Sequence, residues 1–210
     1  SNMLDNFGYE FSVNQDKLKR EFDEVGITFL HAPLFHPALA KVAPIRKGLA
    51  VKTFFNLMGP LVNPVQPEFQ NLGTYDVKTA RLYHYVMQNS GVKYSISTAL
   101  AGYDEISLTS PTKVYNNSGE LVLESKDFGL SILQPDEIKG GKSIEENSKI
   151  FLSVLEGNST QAQKEVVLAN AALALKTIYP TKDLIECVAI ANESLDSKKA
   201  LNVFQKLMKP

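Results

Sequence analysis

Apolar and polar positions alternate in two rhythms along this chain, and the change of rhythm divides it. Val77, Ala80, Tyr83 and Met87 recur at helical spacing behind Asp76, a good N-cap, and Gly91 ends the run, so a helix is expected over 77–90. Shorter apolar runs flank it. Glu68–Tyr75 and Lys93–Leu100 read as strands, and so do the compact run Ile27–Leu30 and the strand-like Leu49–Val51. Ahead of these, Asn14 is placed to cap a mostly polar surface helix ending at Val25, with Gly26 as its stop. Beyond residue 100 a hairpin follows, Thr112–Tyr115 and Glu120–Leu123 joined through Asn116-Asn117-Ser118-Gly119. The remainder is helical. Ser143 and Glu146 form a capping box for a helix to about Leu155, Thr160–Ile178 is alanine-rich and stops before Pro180, and Thr181–Leu195 and Ser197–Met208, capped by Thr181 and by Asp196 or Ser197, complete the set. Strands alternating with helices, then a late hairpin, predict an α/β fold with a largely parallel sheet flanked by helices.

The segment 26–64 departs from ordinary patterning. His36 precedes Pro37, which suits the first turn of a helix because its missing N–H would be unpaired there. Leu39, Val42 and Ile45 follow with cations at Lys41, Arg46 and Lys47, and Pro44 predicts a kink or stop just before Arg46. Phe54–Pro64 is then an apolar turn rich in Gly and Pro, unlike a solvated loop. A strand, a kinked helix with an arginine near its end and this turn would make a pocket wall carrying one cation.

Composition narrows the function without naming it. The 210 residues carry 22 Lys+Arg against 23 Asp+Glu, a net charge of −1, which gives no support for nucleic acid or an anionic membrane as partner. No apolar run reaches the ~18–20 residues of a membrane span, and no signal peptide opens the chain. Cys187 is the one cysteine, which excludes an intrachain disulfide and fits a reducing, cytoplasmic setting; it reads as a small buried hydrophobe. Ser1-Asn2 before Met3 reads as the scar of a cleaved tag, so residues 1–3 are set apart from one α/β domain over 4–210.

Two groups could carry chemistry. Asp104-Glu105 follows a strand end and Gly102, and adjacent carboxylates in a loop can share a Mg²⁺ ion with substrate phosphates; alone, the pair also reads as a solvated acidic loop. Arg46 could bind a carboxylate through two parallel N–H···O bonds, or simply sit near a helix end. No His/Cys cluster has zinc spacing, and no nucleophile elbow, Walker loop or GxGxxG motif occurs. His31 and His84 have no partner pattern.

HAPLFHPALAKVAPIRKGLAVKTFFNLMGPLVNP, AGYDEISLTSPTKVY, KDFGL, IKGG and LANAALAL occur in that order, and together they resemble the anthranilate phosphoribosyltransferases. The resemblance implies part of a type IV (nucleoside phosphorylase/phosphoribosyltransferase class) α/β domain. It implies transfer of the phosphoribosyl group of phosphoribosyl pyrophosphate (PRPP) to anthranilate, in tryptophan biosynthesis. Site roles follow from it: Asp104 and Glu105 for Mg²⁺, and Arg46, Gly59 and Pro60 for anthranilate, with His36 bordering that site. No acid–base catalyst is implied. STALAGYDE lacks the His-Gly more usual before the acidic pair, and neither a GTGGD pyrophosphate loop nor a KHGNR segment occurs in these residues. The chain is therefore expected to be a fragment with an exposed sheet edge, inactive alone and monomeric where the intact enzyme is a homodimer. The alternatives are a paralogue or pyrimidine nucleoside phosphorylase-like enzyme on the same fold, or a non-catalytic binding module.

Overall fold

In the computed structural model, the described residues are 1–36, 57–61 and 63–209. They divide into two compact units, one of residues 1–66, 141–149 and 199–210, the other of residues 67–140 and 150–198.

The second unit is built on a sheet of strands β1 (Phe69–Gly73), β2 (Lys93–Ala99), β3 (Thr112–Asn116) and β4 (Gly119–Leu123), in that spatial order. β1 and β2 run parallel, with Phe69 opposite Lys93 and Gly73 opposite Ser97. β3 is antiparallel to β2 and β4 to β3. The α/β class and the late hairpin are as expected, but the described sheet is mixed rather than largely parallel. The reason is local. Residues 100–111 hold no helix to carry the chain back across the sheet, so β3 returns beside β2 in the opposite direction. Asn117, at the hairpin tip, fixes the register by accepting from the Tyr94 N–H (2.9 Å) and donating to the Val92 carbonyl (2.9 Å).

Helices cover both faces of this sheet. The helix Val77–Met87 starts where expected: Asp76 accepts from the Thr79 N–H at 2.7 Å and from its hydroxyl at 3.1 Å. His84 on that helix meets the Tyr94 hydroxyl at 2.8 Å, whereas the hydroxyl of Ser95, the next residue, lies 2.8 Å from that of Thr177 on the helix Gln161–Ile178. Successive strand side chains point to opposite faces, so the two helices lie on opposite sides of β2. His84 thus has partners the sequence did not suggest, the Tyr94 hydroxyl and Gln88 at 2.7 Å. Beneath the long helix, Ile106, Leu108, Val114, Phe128, Ala169, Ala172, Leu173 and Cys187 form the core, and burying such side chains contributes roughly 1.5–3 kcal/mol for each of the larger ones.

Thr160, expected as the first residue of that helix, caps it instead, accepting from the Gln163 N–H at 3.2 Å. The next helix, Leu184–Asp196, is capped by Asp183 and not Thr181: the Asp183 carboxylate accepts from the Glu186 N–H at 2.7 Å, and Glu186 reciprocates at 2.9 Å. The turn after Pro180 accounts for the later start, since Lys176 donates to the Pro180 carbonyl at 2.9 Å and also to the Lys182 carbonyl.

In the first unit, the helix Gln15–Val25 is bounded as expected, by Asn14 accepting from the Lys17 N–H and by Gly26 at φ 85°. Ile27–Leu30, expected as a strand, is irregular. No described strand pairs with it; instead Phe29 packs edge-on against Tyr9 (ring centroids 5.5 Å) and the Thr28 hydroxyl donates to Glu21 at 2.6 Å. A short helix, Ala32–Phe35, follows with Pro33 in its first turn, and the helix expected from Pro37 lies outside the described residues. The C-terminal helix Lys199–Leu207 brings Phe204 and Leu207 to the cluster around Leu4 and Tyr9.

Candidate functional site

The carboxylate pair sits where two parallel strands end. Past Ala99, the chain makes a tight turn in which Gly102 at φ 93° donates to the Ala99 carbonyl (2.9 Å), and the Ala99 N–H donates to the Tyr103 carbonyl (3.0 Å). A left-handed backbone at that position favours glycine. Asp104 then crosses the end of β1. A Cβ on Gly73 would stand 1.8 Å from the Asp104 carbonyl oxygen, so only glycine lets the two main chains meet. Ligands of α/β folds commonly bind outside the carboxyl ends of parallel strands, and this loop occupies such a place.

Both acidic side chains are exposed, and among the described residues neither carboxylate accepts a hydrogen bond or pairs with a cation. Partial burial nevertheless raises the Glu105 carboxyl pKa above its ordinary range, and the Asp104 charge raises it further. The carboxyl end of Glu105 is therefore more closely surrounded than the exposure of the whole residue conveys. Two hard oxygen donors that repel each other are a fitting half-site for a divalent cation. No group of three or more His, Cys, Asp or Glu among the described residues could hold a metal by itself. The pair therefore suits Mg²⁺ whose remaining ligands are water and phosphate oxygens.

The residues expected at the aromatic acid are less completely placed. Arg46 lies outside the described residues. Gly59 and Pro60 open the 3₁₀ turn Gly59–Leu61, and a Cβ on Gly59 would meet no described atom within 4 Å. His36 is half-buried and ends the helix Ala32–Phe35, its N–H donating to the Ala32 carbonyl at 3.0 Å. These residues belong to the first unit and the acidic pair to the second.

Two residues that hold the acidic loop escaped the sequence reading. Gly73 is one. The other is Asn170, in the middle of the helix Gln161–Ile178, whose amide grips the main chain of Ile106. The signal for Asn170 was its placement: an amide inside the apolar run LANAALAL needs a specific partner.

Residues 1–201 match the model of the glycosyl transferase family, a/b domain. The chain belongs to that family. Its relatives within the family include the anthranilate phosphoribosyltransferase of Cytophaga hutchinsonii, 48% identical over 209 residues, which are 100% of this chain and 64% of that protein. Another is the anthranilate phosphoribosyltransferase of Bacteroides fragilis, 45% identical over 208 residues, 99% of this chain and 63% of the relative. The chain thus spans just under two thirds of the length of these relatives. Among solved structures of the family, anthranilate phosphoribosyltransferase from Thermus thermophilus superposes with a TM-score of 0.91 at 28% identity, over 99% of this chain and 62% of that one. The enzyme from Saccharomyces cerevisiae in complex with PRPP and Mg gives 0.91 at 26%, over 99% and 59%.

Proposed function

We propose that this chain is the metal-binding and aromatic-acid-binding portion of an anthranilate phosphoribosyltransferase, a cytoplasmic, homodimeric enzyme of tryptophan biosynthesis. The observation that carries the reading is the Asp104-Glu105 pair, unpartnered among the described residues and seated at the carboxyl ends of β1 and β2, in a chain 48% identical over its whole length to such an enzyme.

In this reaction the bond between the anomeric carbon of PRPP and pyrophosphate oxygen breaks, and the anthranilate amine bonds to that carbon and loses a proton. Asp104 and Glu105 would hold Mg²⁺, and the ion would supply positive charge to offset the negative charge of the departing pyrophosphate. Arg46 binds the anthranilate carboxylate through two parallel hydrogen bonds and so fixes the direction from which the amine approaches. Gly59 and Pro60 give the ring an apolar backing, and His36 borders it. No side chain of this chain is assigned proton transfer. Because these 210 residues contain no GTGGD segment, the pyrophosphate cradle is assigned elsewhere, and the chain alone does not turn over.

Titration of the 210-residue chain tests this. Anthranilate, followed by its own fluorescence, binds and is weakened at least tenfold by Arg46→Ala, the loss of about 1.4 kcal/mol or more expected for a charge-assisted pair. Mn²⁺ with pyrophosphate binds and is lost in Asp104→Asn and Glu105→Gln. No phosphoribosylanthranilate forms from anthranilate, PRPP and Mg²⁺. A wild-type chain that binds neither probe sinks the reading, and steady product formation sinks the division of labour.

A further inference from the structure

We propose that Asn170 is the positioning residue of the Asp104–Glu105 loop: its side-chain amide sets where the two carboxylates stand when they share a metal ion with a diphosphate. The inference rests on the metal reading given above and adds the device that makes the loop competent for it.

Asn170 Oδ1 accepts from the Ile106 N–H at 2.9 Å, while Nδ2 donates to the Ile106 carbonyl at 2.8 Å and to the Val166 carbonyl at 2.9 Å. All three contacts are to main chain, and together they use both amide hydrogens. The reversed amide would aim Nδ2 at an N–H and Oδ1 at two carbonyls, so the orientation is determined by chemistry alone. Ile106 is 1% exposed and belongs to the core, whereas Glu105, one residue before it, is exposed. The clamp therefore lies at the boundary between buried chain and open loop. On the other side of the pair, Gly73 meets the Asp104 carbonyl and the Ala99 N–H holds that of Tyr103. The main chain is thus fixed at 103, 104 and 106, and only the two acidic side chains are left to reach a ligand.

Such a clamp has a function beyond stability. Two adjacent carboxylates repel each other, and a loop free to move would let them diverge and bind a cation poorly. A long helix in the core is a rigid support, and an amide contacting only backbone transmits its position whatever side chains the loop carries.

The test compares Mn²⁺ uptake with inorganic pyrophosphate, read by electron paramagnetic resonance, in the 210-residue chain and its variants. Asn170→Ala weakens Mn²⁺ binding at least tenfold and speeds hydrogen exchange of the Ile106 amide. The isosteric Asn170→Asp, which keeps volume but turns a second oxygen toward two carbonyls, gives the same loss and guards against a packing failure. Asn117→Ala is the control: it removes an equally bidentate main-chain clasp at the hairpin, so it lowers the melting temperature yet leaves Mn²⁺ affinity within twofold. If wild type binds, Asp104→Asn does not, and both Asn170 variants bind like wild type, the positioning role is overturned alone. If wild type binds Mn²⁺ no better than Asp104→Asn, the metal reading falls and takes the positioning role with it.

Discussion

Gly73 and the Asp104 carbonyl are in main-chain contact across the end of the sheet, with no room between them for a single methyl group. Gly73→Ala forces either β1 or the loop to move. We expect a loss of about 1–3 kcal/mol, the usual cost of overpacking, with altered hydrogen exchange confined to β1 and residues 102–106. Urea unfolding followed by circular dichroism measures the first; mass spectrometry measures the second. An unchanged midpoint and exchange pattern would contradict the contact.

Glu165 is a buried carboxylate that pairs with no cation among the described residues. It accepts from the Ser131 N–H at 3.0 Å, the Ser131 hydroxyl at 3.4 Å and the Gln161 amide at 2.8 Å, tying the segment after Gly129 to the helix Gln161–Ile178. Glu165→Ala strands a main-chain donor and is expected to cost about 2–3 kcal/mol, and Glu165→Gln, which keeps one acceptor oxygen, less. Two variants both as stable as the wild type would show that the carboxylate's hydrogen bonds contribute nothing.

The cap of the helix Leu184–Asp196 gives a sharper comparison. Asp183→Ala should cost about 1 kcal/mol and Thr181→Ala a few tenths at most, since only Asp183 reaches an N–H of the first turn. Denaturant midpoints of the two variants decide it, and the reverse order would restore Thr181 as the cap.

Cys187 is fully buried, and burial raises its thiol pKa; Lys176 and Lys182 lower it by smaller amounts. In the unfolded chain a thiol ionises near about 8.5. The folded chain holds its proton to higher pH, so the thiol's contribution to stability is fully present below about 8.5 and is lost as pH rises through the raised folded value. Between these values stability falls with pH, and Cys187→Ala should flatten that part of the profile. Iodoacetamide should label Cys187 only after unfolding. Rapid labelling of the folded chain at pH 8 would refute the burial.

How far the sequence led can be followed residue by residue. Asp76 and Asn14 announced their helices because a cap's partners lie two or three residues away, within reach of a local pattern. Asn116–Gly119 announced the hairpin for the same reason. Ile27–Leu30 misled because a short apolar run looks alike whether it pairs with a strand or lies under aromatic rings, and only tertiary packing chose Tyr9. Thr181 and Asp183 are both competent caps, and the choice fell to Lys176 holding the turn between them. At the site, the acidic pair was legible as chemistry. Its supports were not, because Ile106 and Asn170 stand 64 positions apart and nothing local links them.

The clamp at Ile106 touches backbone alone, and so does the seat at Asp104. Neither grips an acidic side chain, which makes the turn an interchangeable socket: its two charges could be exchanged for other ligand types without rebuilding what carries them. A designer wanting a different ion there would leave Gly73 and Asn170 untouched and rewrite only positions 104 and 105.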